Sequence, residues 1–156
     1  MILFMADATV HFHRHDLPDG LDLGHVVAVD TEAMGLDSRR DRLCLVQLSA
    51  GDGHAHMVQI VPPQHGGRGA DCPNLKRLLS DPGTTKLMHF ARFDVGVIQH
   101  YLGVDATPVK CTKIAAKLVR DRAIVSLDIP TEAAKELFPD LDVVKPYLRY
   151  TSSTTV

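Results

Sequence analysis

Asp30-Thr31-Glu32 closes the apolar run Val26-Val27-Ala28-Val29, and it is the sharpest chemical feature of the sequence. A continuous apolar run of this length reads as a strand buried on both faces. Residues two apart in an extended chain point to the same side, so the carboxylates of Asp30 and Glu32 share a face. Two like charges at the end of a hydrophobic strand destabilise it unless a cation lies between them. Hard oxygen donors of this kind suit Mg2+ or Mn2+. A bare D-x-E is more simply the solvated end of a strand, so the pair gains weight only from further acids. Asp94 is one. Val97, Ile98 and Tyr101 follow it at i+3, i+4 and i+7, which sets its carboxylate on the core-facing stripe of a helix. A carboxylate there needs a partner, either an ion or hydrogen bonds from backbone amides, Arg92 or Lys86.

Residues 27–36 (VAVDTEAMGL) followed by 42–48 (RLCLVQL) resemble the first motif of the ribonuclease D-like 3′→5′ exonucleases. These form part of the DEDD exonuclease group, which has a ribonuclease H-like fold. Residues 89–95 (HFARFDV) resemble the second motif, and residues 109–115 (VKCTKIA) fit the strand-to-helix step that follows it. The likeness spans most of residues 10–120. It implies hydrolysis of the terminal phosphodiester of RNA or single-stranded DNA 3′ ends, with release of nucleoside monophosphates. Two divalent ions, Mg2+ or Mn2+, about 3.5–4 Å apart would stabilise the attacking and leaving oxygens. By the same likeness Asp30 bridges both ions, Glu32 holds the ion that carries the attacking water, and Asp94 holds the other through a water molecule.

Thr31, Met34, Leu36, His89 and Phe90 occupy the motif positions expected to touch nucleic acid. Leu36 matches the place where the family sets an apolar side chain against the terminal bases, or else it is a loop leucine covering the core. Phe90 is able to stack on a base, although a buried aromatic is the plainer reading. A narrow site and stacking would select a single-stranded end without base-edge readout.

The elements that must position these groups follow from periodicity and punctuation. A short strand is expected over 8–13, near the chain's beginning and therefore at a sheet edge. The run 26–29, then 43–48 and 57–61, are expected as an antiparallel meander. Residues 62–73 read as a loop and 74–79 as a short helix. A strand over 86–89 leads into a helix from about 91 to 102, which Gly103 ends. Another strand is expected at 109–111, then a helix capped by Thr112 and running to about Arg120. An amphipathic segment covers 131–138. This order gives an α/β domain, a ribonuclease H-like mixed sheet flanked by helices. The domain is placed at 1–150, with 151–156 a disordered tail.

One part of the family pattern is missing. The group's fourth acid lies on a late helix, preceded by tyrosine or histidine four residues earlier. After the second motif the only such spacing is Tyr101 to Asp105, which crosses the helix end at Gly103. Residues 136–142 lead loosely toward a third motif that does not follow. The fold is therefore expected to be C-terminally incomplete, and the activity weakened by ~10²–10⁴ through loss of the general base. Apolar sheet surface would then need a second copy of the chain or a partner to cover it. The alternative to an exonuclease is a catalytically impaired module that binds nucleic-acid ends or a partner protein. A third reading, an α/β domain unrelated to nucleic acid, requires the likeness to be accidental.

Composition narrows the remainder. With 156 residues, 45% of them hydrophobic and a net charge of −2, one ordered domain is expected. No apolar run is long enough for a membrane span. Three cysteines without close pairing suit reduced thiols and a cytoplasmic protein; Cys44 and Cys111 fall in β-like surroundings and read as core. The near-neutral balance excludes a strongly basic nucleic-acid clamp and leaves room for phosphate affinity through metal ions. Arg39, Arg40 and Arg42 are candidate phosphate contacts or a solvated loop. His11, His13 and His15 alternate as metal ligands would on one strand face, or as solvated edge histidines. His54 and His56 read as turn residues.

Overall fold

The structure is a computed structural model that describes residues 9–37, 40–61 and 70–120, the side chains of 118–120 excepted. Six strands form one sheet in the order β1-β4-β3-β2-β5-β6. They are β1 (Thr9–Arg14), β2 (Val26–Ala33), β3 (Leu43–Ser49), β4 (His54–Gln59), β5 (Thr85–Met88) and β6 (Val109–Cys111). Helices α1 (Pro73–Ser80), α2 (Arg92–Leu102) and α3 (Thr112–Arg120) alternate with the later strands. Strands β2, β3 and β4 pair antiparallel, as the meander reading requires. Strand β1 joins β4 in parallel and β5 joins β2 in parallel, so the sheet is mixed. Among the described residues, those up to Lys110 make one compact unit, and α3 belongs to a second.

The core of the first unit is the apolar set that the strand pattern marks. Val27 and Val29 of β2, Leu43, Val46 and Leu48 of β3, and Val58 of β4 are buried. Leu75 and Leu79 of α1 and Val97 and Ile98 of α2 complete it. Two elements are longer than the apolar runs suggest. β2 continues through Asp30, Thr31 and Glu32 because β3 pairs with it along that length. β4 begins at His54, so His54 and His56 belong to a strand and not to a turn. The turn lies before them, where Gly51 and Gly53 adopt φ of 81° and 87° and Asp52 accepts a hydrogen bond from the His54 amide.

The histidines of the two neighbouring strands meet. His11 Nε2 lies 2.9 Å from His54 Nδ1, and His13 Nε2 lies 3.0 Å from His56 Nδ1. The rings stack, with His11 and His56 centroids 4.8 Å apart. Each close nitrogen pair shares one proton, so one ring of each pair acts as acceptor. Burial, then the neighbouring His11, holds His13 below the usual histidine range; burial and the surrounding histidines do the same for His56.

Remote side chains fasten the short elements. Asp16 accepts the Asn74 and Leu75 amides, both at 2.8 Å, and so caps α1 from outside the helix. Lys86 of β5 is fully buried, and its ammonium donates to the carbonyls of Asp81, Thr84 and Thr107 at 2.6–2.7 Å. Gly103 ends α2 at φ 70°, the left-handed conformation that glycine adopts without a Cβ penalty. Asp105 therefore lies beyond the helix and accepts from Gln99, so Tyr101 and Asp105 do not share a helix face. Thr112 is the first residue of α3. Cys44 and Cys111 are only half buried, whereas Cys72 is fully buried. The loop at 62–69, Arg39, the segment 131–138, residues 136–142 and the tail lie outside the described residues. None of the described helices is long and apolar enough to cross a membrane.

Candidate active site

β2 presents opposite chemistry on its two faces where it outruns β5. The β2–β5 ladder covers only Val26, Val27 and Ala28, while the β2–β3 ladder continues to Ala33. Asp30 and Glu32 occupy one face by alternation, and Gln47 of β3 stands directly opposite Asp30 in the ladder. Gln47 Nε2 donates to Glu32 Oε1 at 3.3 Å. Thr31 projects to the other face and reaches Asp94, in the first turn of α2. Its hydroxyl donates to Asp94 Oδ1 at 2.7 Å and its backbone amide donates to the same oxygen at 3.1 Å.

Asp94 is the electrostatic centre of this arrangement. It is 4% exposed, as its place on the apolar stripe of α2 requires. Burial pushes its carboxyl above the usual range; the Thr31 hydrogen bond opposes that shift, and the negative charge of Asp30 adds to it. Asp94 and Asp30 are therefore close enough to repel. The partner of Asp94 is thus Thr31, and not Arg92 or Lys86. Arg92 is exposed, and the ammonium of Lys86 is committed to carbonyls. Thr31 is among the residues expected to touch nucleic acid, and its hydroxyl is engaged by Asp94.

No three histidine, cysteine or acidic side chains among the described residues converge on one point as an ion's direct ligands. The donor chemistry still fits a hard divalent ion. Asp30 and Glu32 offer carboxylate oxygens on one face, and Asp94 offers a carboxylate whose Oδ1 is engaged by Thr31. A contact from Asp94 through an intervening water agrees with that arrangement.

The remaining expected residues lie on two loops. Met34 and Leu36 follow β2 and are 71% and 88% exposed, so Leu36 does not cover the core. Their loop closes on Asp41, whose carboxylate accepts the Asp37 amide at 3.0 Å and pairs with Arg40 at 2.8 Å. A Cβ on Gly35 would meet that carboxylate, so the side chain of Asp41 would have to move to admit one. Arg40 is thus engaged within its own loop. Between β5 and α2, His89 is exposed and Phe90 is 54% exposed with φ 62°. The expectation of a buried aromatic at 90 fails because this φ turns the side chain away from the core. Positive φ at a bulky residue is uncommon and costs energy. Pattern reading missed Gln47 as part of the site: its place in an apolar strand hid a side chain aimed at Glu32.

Comparison with known proteins adds three findings. The 3′–5′ exonuclease family matches residues 14–129. The chain is similar to ribonuclease D of Acidiphilium cryptum, 33% identical over 100 residues, which cover 64% of this chain and 24% of that protein. Among solved structures it is similar to Brucella melitensis NrnC bound to pGG, at 46% identity and TM-score 0.64, covering 76% of this chain and 60% of that one. It is also similar to Brucella melitensis NrnC with bound Mg2+, at 38% identity and TM-score 0.66, covering 91% and 81%. The chain thus spans about a quarter of the length of the curated relative and about three fifths of the pGG-bound structure.

Proposed function

The chain belongs to the 3′–5′ exonuclease family, and from that premise we propose that it is a metal-dependent exonuclease of the ribonuclease D type. Its substrates are the 3′ ends of RNA or single-stranded DNA. The observation that carries the reading is the convergence of α2 on β2, where Thr31 holds Asp94 beside Asp30. The metal part of the reading draws support from the Mg2+-bound NrnC structure, and the nucleic-acid part from NrnC with pGG.

Asp30 and Glu32 would hold two divalent ions directly, and Asp94 would contribute through water. When bound, such ions lower the pKa of an attacking water and stabilise the leaving oxygen. The chain's own residues do the rest. Thr31 fixes the rotamer of Asp94. The exposed Met34, Leu36 and Phe90 offer apolar surface to terminal bases, and His89 offers a polar edge beside them. The side chain of Thr31 is engaged, so its own contact with a nucleic-acid end would fall to its backbone.

Among the described residues no tyrosine or histidine lies four residues before an acid on a shared helix face, in the way that would orient the water. A chain without that group would turn over ~10²–10⁴ more slowly than a relative that has it. A module that binds ends without cutting them is the same reading carried to zero turnover. A second copy covering apolar sheet surface, including the exposed Val10 and Phe12 of β1, belongs to the proposal, as does a cytoplasmic location. The test is Mn2+ calorimetry on wild type and Asp30→Ala, with a 3′-labelled RNA digested in parallel. Loss of both binding and cleavage in Asp30→Ala is the expected result. Wild-type Mn2+ affinity in that variant would overturn the reading.

A further inference from the structure

We propose that Gln47 is a positioning residue for Glu32, holding one carboxylate oxygen so that the other is presented to the ion side of the site. The inference rests on the metal reading above. Gln47 sits directly across the ladder from Asp30, so its side chain belongs to the face that carries Asp30 and Glu32. It is only 7% exposed, in a strand whose other buried members are apolar. A buried amide in such a strand is costly unless it is hydrogen-bonded. Its Nε2 donates to Glu32 Oε1 at 3.3 Å, the long end of a hydrogen bond and a geometry that tightens once a site is loaded.

The residue type matters as much as the contact. Glu32 is exposed and has three rotatable bonds, so ordering it on an ion costs rotamer freedom. An amide donor removes much of that freedom in advance. Being neutral, it leaves the full negative charge of Glu32 for a cation, whereas a lysine or arginine at this position would compete with the ion. Partners that orient metal-binding carboxylates typically change metal affinity 10–100-fold when they are removed.

The experiment compares Mn2+ affinity, by calorimetry, among wild type, Gln47→Met, Gln47→Leu and Asp30→Ala, with thermal unfolding of each in the absence of metal. Methionine keeps the length and removes the donor. Leucine also removes the donor and matches the other buried side chains of the strand. The expected result is a 10–100-fold weaker Kd in both Gln47→Met and Gln47→Leu at pH 7. Metal-free unfolding stays close to wild type in whichever variant folds, and the half-saturating Mn2+ for cleavage rises while KM for the RNA end holds. A Kd within twofold of wild type in either folded variant, with binding lost in Asp30→Ala, overturns the role of Gln47 and leaves the metal reading standing. Wild-type binding in Asp30→Ala overturns the metal reading itself.

Discussion

Replacing Thr31 by valine isolates the contact that joins α2 to β2. The substitution keeps the side-chain shape and the strand preference, and removes only the hydroxyl that donates to Asp94 at 2.7 Å. A hydrogen bond to a charged group is worth about 1.5–3 kcal/mol, and neither partner here is open to water as a replacement. The added methyl returns roughly 0.8 kcal/mol of apolar burial. The net loss is about 1–2 kcal/mol, or roughly 2–8 °C in Tm for a chain of this size.

The pH dependence carries a sign. Asp94 already binds its proton more tightly in the folded chain than in the unfolded one, so its contribution to stability declines as pH rises from the usual carboxylate value through the folded value. Thr31→Val removes a donor that favours the ionised form, so the folded value rises further. The deficit should therefore be larger at pH 7 than at pH 4, because more of the acid is protonated at the lower pH. Urea unfolding of wild type, Thr31→Val and Thr31→Ser at both pH values measures it, with an unchanged slope confirming a stability effect. A valine variant as stable as wild type at pH 7, or a serine variant as damaged as the valine one, refutes the reasoning.

Two further outcomes follow from groups outside the site. His13 and His56 are held below the ordinary value of 6.5, so the folded chain binds fewer protons there than the unfolded chain. Their contribution is whole above pH 6.5 and is lost as pH falls toward the folded values; His11 and His54 also repel, and Asp52 opposes. His13→Gln/His56→Gln should flatten the stability–pH curve between pH 7 and 5, the nitrogen-to-nitrogen bond between them being worth about 0.5–1.5 kcal/mol; parallel curves for variant and wild type would count against it. Lys86→Met should cost about 3 kcal/mol or more, since three carbonyls lose a charged donor in a buried place. Thermal unfolding reads this directly, and an unchanged Tm would contradict it.

The order of elements was legible because buried strands and the α2 stripe follow simple periods. Val26–Val29, Leu43–Leu48 and the Asp94, Val97, Ile98 series each satisfy one period along their whole length. The errors fall where tertiary pairing overrides local pattern. His54 and His56 look like turn residues until β1 supplies histidine partners. Phe90 looks like a core aromatic until its backbone adopts a positive φ. The shared face of Asp30 and Glu32 was legible from spacing, and the burial of Asp94 from its stripe. The hydroxyl that connects Asp94 to β2 was not visible, because a threonine inside a strand carries no signal of which helix will meet it. Gln47 was hidden for the same reason: register decides its neighbour, and register is a property of two strands.

The overrun of β2 past β5 makes the site a matter of counting as much as of chemistry. Asp30 and Glu32 face one way and Thr31 the other only because Val26–Ala28 fix the phase between β3 and β5. Loss or gain of one residue in that stretch would invert every side chain beyond it. Asp30 and Glu32 would then leave the face that carries Gln47, and Asp94 would lose the hydroxyl of Thr31. Evolution is free to exchange one apolar residue for another at Val26, Val27 or Ala28. It is far less free to change how many of them there are, so the length of this segment should drift more slowly than its composition.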